Sequence, residues 1–329
     1  MPEPSLNAVH VNRPLTNISQ AYMQDSRDFI ADKIFPVVPV QKQSDRYFVY
    51  TKGDWFRDQA KVRAPATESV GGGYSLDNTP SYYAPVYAFH KDVDDQVRTN
   101  SDDPLNADRD ATLFVTQRMM LRREVLVCGT VFATSTWTGS TTGGDITPSP
   151  LWSAANSTPL EDIEAQVWAT KQVTGKFPNR LVLGEAVWQV LKNHSEIVER
   201  IKYTQRGITT PDILATLIAP PGVEDFQVLV AAAIVNNAEE GAADSFGFIV
   251  TAKDALLAYC EPQPGIMVPS AGYIFTWTGL LGAGAFGSVI SQIPMPWLGR
   301  NTVRIEGELA FATKLVGVDL GAYFHGAVA

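Results

Sequence analysis

Apolar and polar positions along the 329 residues change rhythm several times, and each change marks an element. The longest helical rhythm covers residues 103–134, where Phe114, Leu121, Val125, Cys128 and Phe132 recur at sevens and fours and give one apolar face. Asp103 is placed to cap this helix, and Pro104 suits its first turn, where a missing N–H costs nothing. Asp108 and Asp110 precede Arg118, Arg122 and Arg123, the charge order a helix dipole favours. The last turns, with Val125, Val127, Thr130 and Val131, form helix poorly on their own, so packing has to hold them. At 1.5 Å per residue such a helix reaches on the order of 45 Å, which predicts an elongated subunit built around it.

Ahead of it the pattern is extended. Residues 1–16 contain three prolines and no periodicity, a short amphipathic helix follows from Asn17 or Ser19 to about Lys33, and Phe35-Pro36-Val37-Val38-Pro39-Val40 cannot be helical. This arm has no core of its own. Phe29, Ile34 and Phe35 are therefore candidate contacts with other segments or with other subunits, and removing residues 1–40 is expected to leave a folded subunit that no longer assembles. Arg46-Tyr47-Phe48-Val49-Tyr50 and Tyr82-Tyr83-Ala84-Pro85-Val86-Tyr87-Ala88-Phe89 read as strands. The stretch between them, with Gly71-Gly72-Gly73, is too long for a hairpin turn and predicts a projecting two-stranded loop on which Trp55 and Phe56 wait for a neighbour.

Behind the long helix, residues 134–157 form a Ser/Thr/Gly-rich connector. Thr158-Pro159-Leu160-Glu161 carries a capping-box signature for a helix ending at Gly175. Arg180-Leu181-Val182-Leu183 is a strand, residues 185–202 a helix, Thr210-Pro211-Asp212 opens another through Ile218, and residues 226–235 and 246–250 are buried strands, so residues 178–268 predict a compact α/β lobe. In the last segment Val303, Ile305, Leu309 and Phe311 alternate with polar positions; near Lys314-Leu315-Val316 the phase switches to Val318, Leu320, Ala322 and Phe324, which requires a turn or bulge. These closing strands are expected in the lobe of the long helix.

A hydrophobic fraction of 45% with 19% charged residues is that of a folded chain, and a net charge of −9 without any basic block disfavours grip on nucleic acid. Cys128 and Cys260 form no C-x-x-C pair and read as buried free thiols; the N-terminus carries no secretory pattern. The charge-free stretch 262–299 is broken by Pro294, Pro296 and several glycines, which favours buried strands over a membrane span. Gly282-Ala283-Gly284-Ala285-Phe286-Gly287 matches a dinucleotide fingerprint but lacks the following helix, and reads as a glycine turn. His10, His90, His194 and His325 have no metal-ligand spacing, His194 reading as solvated; Asp92, Asp94, Asp95, Asp102 and Asp103 lack the glycine and glutamate of a calcium loop. No catalytic residue, cofactor site or metal site is predicted.

The chain resembles the major capsid proteins of tailed bacteriophages. The likeness rests on Asn12-Arg13-Pro14-Leu15-Thr16-Asn17-Ile18, on Phe29-Ile30-Ala31-Asp32-Lys33-Ile34-Phe35-Pro36 with the extended run after it, and on Tyr50-Thr51-Lys52-Gly53-Asp54-Trp55-Phe56-Arg57. Further on, Pro178-Asn179-Arg180-Leu181-Val182-Leu183-Gly184, Ile201-Lys202-Tyr203-Thr204 and Lys253-Asp254-Ala255-Leu256-Leu257-Ala258-Tyr259 carry it. The resemblance implies an α+β, Hong Kong 97-type capsid fold: N-terminal arm at 1–43, extended β-loop (E-loop) at 44–92, spine-helix peripheral domain at 93–177 and 269–329, and α/β axial domain at 178–268. It implies a non-enzymatic subunit that assembles as hexamers and pentamers into an icosahedral shell, enclosing DNA without specific binding and without a membrane. Separate scaffolding, portal and decoration proteins are the partners it allows, with assembly in the host cytoplasm and residence in the virion. Lys52 and Lys61 lie where some members crosslink, but no partner asparagine or activating glutamate matches, so no crosslink is expected. Another self-assembling phage component, decoration or tail, and an enzyme with its site in residues 178–268 are the alternatives.

Overall fold

In the arm, residue chemistry decides the path step by step. The computed structural model describes residues 23–101, 105–138, 145–202, 209–223, 225–265, 267–281, 288–299 and 301–329. Asp25 caps a 3-10 turn (Ser26–Asp28) by accepting from the Arg27 N–H, and a single-turn helix α1 (Ala31–Ile34) follows. Pro36 ends it, and strand β1 (Val37–Val40) lies at a sheet edge, where Pro39 withholds no needed donor.

The extended loop runs out through β2 (Ser44–Arg46), β3 (Val49–Tyr50) and a single-turn helix α2 (Lys52–Trp55), and returns through β4 (Leu76–Asp77) and β5 (Ser81–Tyr83). β2 pairs antiparallel with β5 and β3 with β4, the expected two-stranded ribbon. β6 (Val86–Val93) re-enters the body, and α3 (Asp95–Thr99) is capped by the Asp94 carboxylate.

The spine is α4 (Ala107–Val131), about 37 Å long at 1.5 Å per residue. Asn106 caps it, its side chain accepting from the Arg109 N–H at 3.0 Å; the expected cap, Asp103, lies outside the described residues. The buried stripe is Ala111, Val115, Met119, Val127, Cys128 and Val131, whereas Phe114 is exposed and Leu121 and Val125 are half-buried. The expected face is thus rotated. Where the helix crosses the sheet, Gly307 leaves room for Val115 and Met119: a Cβ there would sit 2.7 Å from Val115. The spine ends on Trp137, whose indole N–H donates to the Val131 carbonyl at 2.8 Å and whose ring covers Gly321.

The second lobe begins with α5 (Pro159–Thr174), closed by Gly175 at φ 75°. Thr158 makes no side-chain cap; the Glu196 carboxylate accepts from the Leu160 N–H instead. β7 (Arg180–Gly184), α6 (Glu185–Leu191), α7 (Ser195–Ile201), α8 (Pro211–Ile218), β8 (Gln227–Ala231), the β9 (Ile234–Asn236) and β10 (Phe246–Phe248) hairpin and β11 (Ala255–Ala258) follow. The helix expected over residues 185–202 is two helices, because His194 starts α7 as its N-cap.

The chain then returns to the spine through β12 (Gly272–Trp277), α9 (Thr278–Leu281), β13 (Val289–Pro294) and the long β14 (Val303–Leu315), and ends, after a 3-10 turn (Val318–Leu320), on β15 (Gly321–Phe324). The glycine turn read at 282–287 lies outside the described residues. β14 is the centre of a mixed sheet. Its first half lies between β13 and β6, its end pairs with β12, and β12 takes β1 in parallel. The expected turn after Leu315 is present, but it sends β15 into the other sheet, ordered β15-β11-β7-β8. With α5 also in that lobe's core, residues 321–324 and 159–174 pack with the α/β lobe.

Period-two alternation joins the lobes. On β7, β11 and β15, Val182, Leu256 and Tyr323 face the spine core, while Leu181, Leu183, Leu257, Ala322 and Phe324 face α5 to α8. Cys128 and Cys260 are buried free thiols, burial pushing the Cys260 thiol up to about 12. No helix among the described residues is long and apolar enough to cross a membrane.

Candidate functional site

The residues expected to meet other subunits separate into two groups. Phe29, Ile34 and Phe35 are buried within their own chain, against other segments of it. Phe35 packs against Trp137 and over Gly272, where a Cβ would come within 2.7 Å of its ring. The arm has a polar anchor as well. Glu124, in the middle of the spine and buried, accepts from the Ile30 and Ala31 N–H groups at 3.0 Å each, and from the Cys128 thiol at 3.4 Å. It satisfies the unpaired donors at the start of α1 from another helix. Burial raises the Glu124 carboxyl above its ordinary range against the pull of those hydrogen bonds, and burial followed by Glu124's charge pushes the Cys128 thiol up. Sequence pattern alone gave no sign of Glu124, because a glutamate on a long helix reads as solvated.

Trp55 and Phe56 behave differently, with 52% and 65% of their surface exposed. Trp55, Tyr50 and Tyr74 pack ring against ring, with centroids 5.6 to 6.1 Å apart. Trp55 and Tyr74 stay exposed, as do Phe48 and Leu76, while Tyr50 is half-buried. The root of the loop is firm: Tyr82 stacks on Phe275 at 4.5 Å and Tyr47 lies 5.7 Å from the same ring. Beyond it residues 57–75 are all exposed. Two other turns carry exposed apolar side chains, Trp297 and Leu298 between β13 and β14, and Phe246 and Phe248 on the β9–β10 hairpin. Apolar rings on projecting turns are a mark of protein–protein contact surfaces.

One buried pair imitates catalytic geometry. Ser157 Oγ lies 3.0 Å from His194 Nε2, and His194 is buried rather than solvated, a correction caused by its packing under the connector. Its Nδ1 accepts from the Glu196 N–H, so the ring proton sits on Nε2 and donates to Ser157, which turns its own hydrogen to the Ala154 carbonyl. A histidine in that tautomer cannot take the serine proton; the pair ties the connector to α7. The acids near β6 are likewise engaged: Arg304 clamps Asp92 through two bonds of 2.8 and 3.0 Å, and Asp94 accepts from the Thr302 hydroxyl at 2.9 Å. Those contacts lower both carboxyls. Among the described residues no group of three or more His, Cys, Asp or Glu could hold a metal ion.

The architecture of spine helix, mixed sheet, α/β lobe, arm and two-stranded loop is the Hong Kong 97-type capsid fold. Solved structures share it: a phage-related protein from Bordetella bronchiseptica RB50 superposes with a TM-score of 0.68 at 21% identity, over 92% of this chain and 93% of that one. The capsid structure of Cyanophage P-SCSP1u follows at 0.59 and 9% identity, over 96% and 92%. In sequence, the chain is similar to the major capsid protein of Burkholderia phage BcepMu, 25% identical over 262 residues that cover 78% of each. No family model matches the chain.

Proposed function

We propose that this chain is a major capsid protein, a structural subunit whose copies assemble into the icosahedral head shell around a phage genome. The observation that carries the reading is the end-to-end likeness to a capsid subunit, over 96% of this chain and 92% of the cyanophage chain, joined to the sequence similarity with a major capsid protein. The side chains fit the role. Several exposed aromatic residues, Trp55, Phe56 and Trp297 among them, lie on projecting segments, and the buried Glu124 serves as a cap for the arm.

On this reading residues 1–43 are the arm and 44–92 the extended loop; α4 with the β14 sheet forms the peripheral lobe, and residues 178–268 with α5 and β15 the axial lobe. Copies group as hexamers and pentamers, with Trp55 and Phe56 as contacts between them. A net charge of −9 suits a wall that encloses DNA without gripping it. Assembly takes place in the host cytoplasm with separate scaffolding and portal proteins, the mature subunit resides in the virion, and it performs no catalysis.

Size-exclusion chromatography with negative-stain microscopy of the expressed chain tests this. Closed shells or rings of five and six copies are expected. Small discrete oligomers would favour an enzyme, and tubes or spikes a tail component.

A further inference from the structure

The extended loop touches its own subunit beyond the root. Lys52, the first residue of α2, forms an ion pair with Asp319 on the 3-10 turn before β15. Four positions on, the Phe56 ring lies over Gly175, the left-handed residue closing α5: a Cβ there would meet the ring at 3.0 Å. α5 packs on the Val318–Leu320 turn, so both contacts fall on one seat. Neither is a core contact. The Lys52 and Asp319 side chains keep 41% and 30% of their exposure, and Phe56 keeps 65%. Exposed pairs of this kind are weak and screened by salt, which suits a contact that is made and broken rather than one that holds a fold.

We propose that this seat is a latch: Lys52 on Asp319 and Phe56 on Gly175 hold the loop against its own subunit before assembly, and the latch opens when the loop engages a second copy of the chain. The proposal rests on the shell reading above. Its physical basis is the order of constraints along the loop. The root is fixed on Phe275 and residues 57–75 are exposed, so the contacts of Lys52 and Phe56 are the joint that sets where the outer part points. A loop seated on its own body has to leave before it can lie on another, and that step adds to the barrier for association.

The test uses the full-length chain with Lys52→Glu, Asp319→Lys and both together. Each single change opens the latch: residues 51–57 exchange amide hydrogens faster in the unassembled subunit, and light scattering shows assembly accelerated roughly two- to fivefold, the range an exposed ion pair allows. The double variant re-forms the pair with reversed charges and restores both readings. An equimolar mixture of the two single variants continues to behave as the singles do. Unchanged exchange in the single variants, slower assembly, or a mixture that regains wild-type behaviour overturns the latch, the last because the pair would then form between copies. Absence of shells from the wild-type chain overturns the shell reading instead, while the exchange comparison still reports on the latch alone.

Discussion

The arm and the extended loop begin with the same deficit and end differently. Each lacks the residues for a core of its own, and each carries large apolar side chains, Phe29, Ile34 and Phe35 in one, Trp55, Phe56 and Tyr74 in the other. Phe29, Ile34 and Phe35 of the arm are nevertheless buried, while the loop keeps its rings at the surface. What separates them is the reception prepared elsewhere in the chain. For the arm there is an open edge on β12, a carboxylate at Glu124 facing the free N–H groups of Ile30 and Ala31, and a missing Cβ at Gly272 under Phe35. In the loop Trp55 and Tyr74 pack chiefly on each other and Tyr50, and Phe56 lies over Gly175 with 65% of its surface still exposed. Apolar residues on a coreless segment thus have two fates, decided by small residues and unpaired polar groups at a distance.

The largest effect should come from attacking the arm's anchors. Phe35→Ala should cost about 3–5 kcal/mol of subunit stability in denaturant titration, as emptying a well-packed aromatic site does. Removing residues 1–40 should therefore unfold the spine lobe, visible as lost cooperative melting, which reverses the expectation drawn from sequence. A truncated chain that melted like the whole one would make the arm equivalent to the loop and dissolve the contrast.

Next is the polar anchor. Glu124→Ala should cost about 1–3 kcal/mol, because two buried N–H groups lose their acceptor. Glu124→Gln carries the pH dependence. Burial holds the folded-state carboxyl above its unfolded value, so its contribution is complete below the unfolded value and is lost as pH rises through the folded one. As pH falls from neutral toward the ordinary carboxylate range, the wild type should gain on Glu124→Gln. A gap that stayed constant would mean that Glu124 does not titrate differently in the folded state.

The smallest effect on the subunit belongs to the loop. Trp55→Ala and Phe56→Ala should each change its stability by no more than about 0.5 kcal/mol, as exposed positions do, and Trp55→Ala should lower shell yield by microscopy. Loss of several kcal/mol would place those rings in a core after all.

Much of this architecture was legible in the sequence where one periodicity dominates. The alternation of Ile305, Leu309 and Phe311, the stop after Leu315, the Thr210-Pro211 start of α8 and the extended run at 37–40 all appear as expected. The spine was legible as a helix, but its buried face was not. The periodicity is carried by the large residues Phe114, Leu121 and Val125, whereas the groove beneath the helix is cut by Gly307 and filled by Ala111, Val115 and Met119. Glu124 and His194 escaped for a shared reason: each is buried by a segment remote in sequence, the arm for one and the connector at Ser157 for the other. The projecting loop was legible from its flanking strands and its length, whereas the burial of Phe29, Ile34 and Phe35 depends on Glu124 and Gly272, which lie far away in sequence.

Hydrogen exchange on the same protein, before and after assembly, tests the contrast most directly. The account predicts that amides of residues 30–40 are protected in both states, and that residues 57–75 exchange quickly in free subunits and become protected in shells. Fast exchange along 30–40 in the free subunit, or equal exchange along 57–75 in the two states, would contradict it.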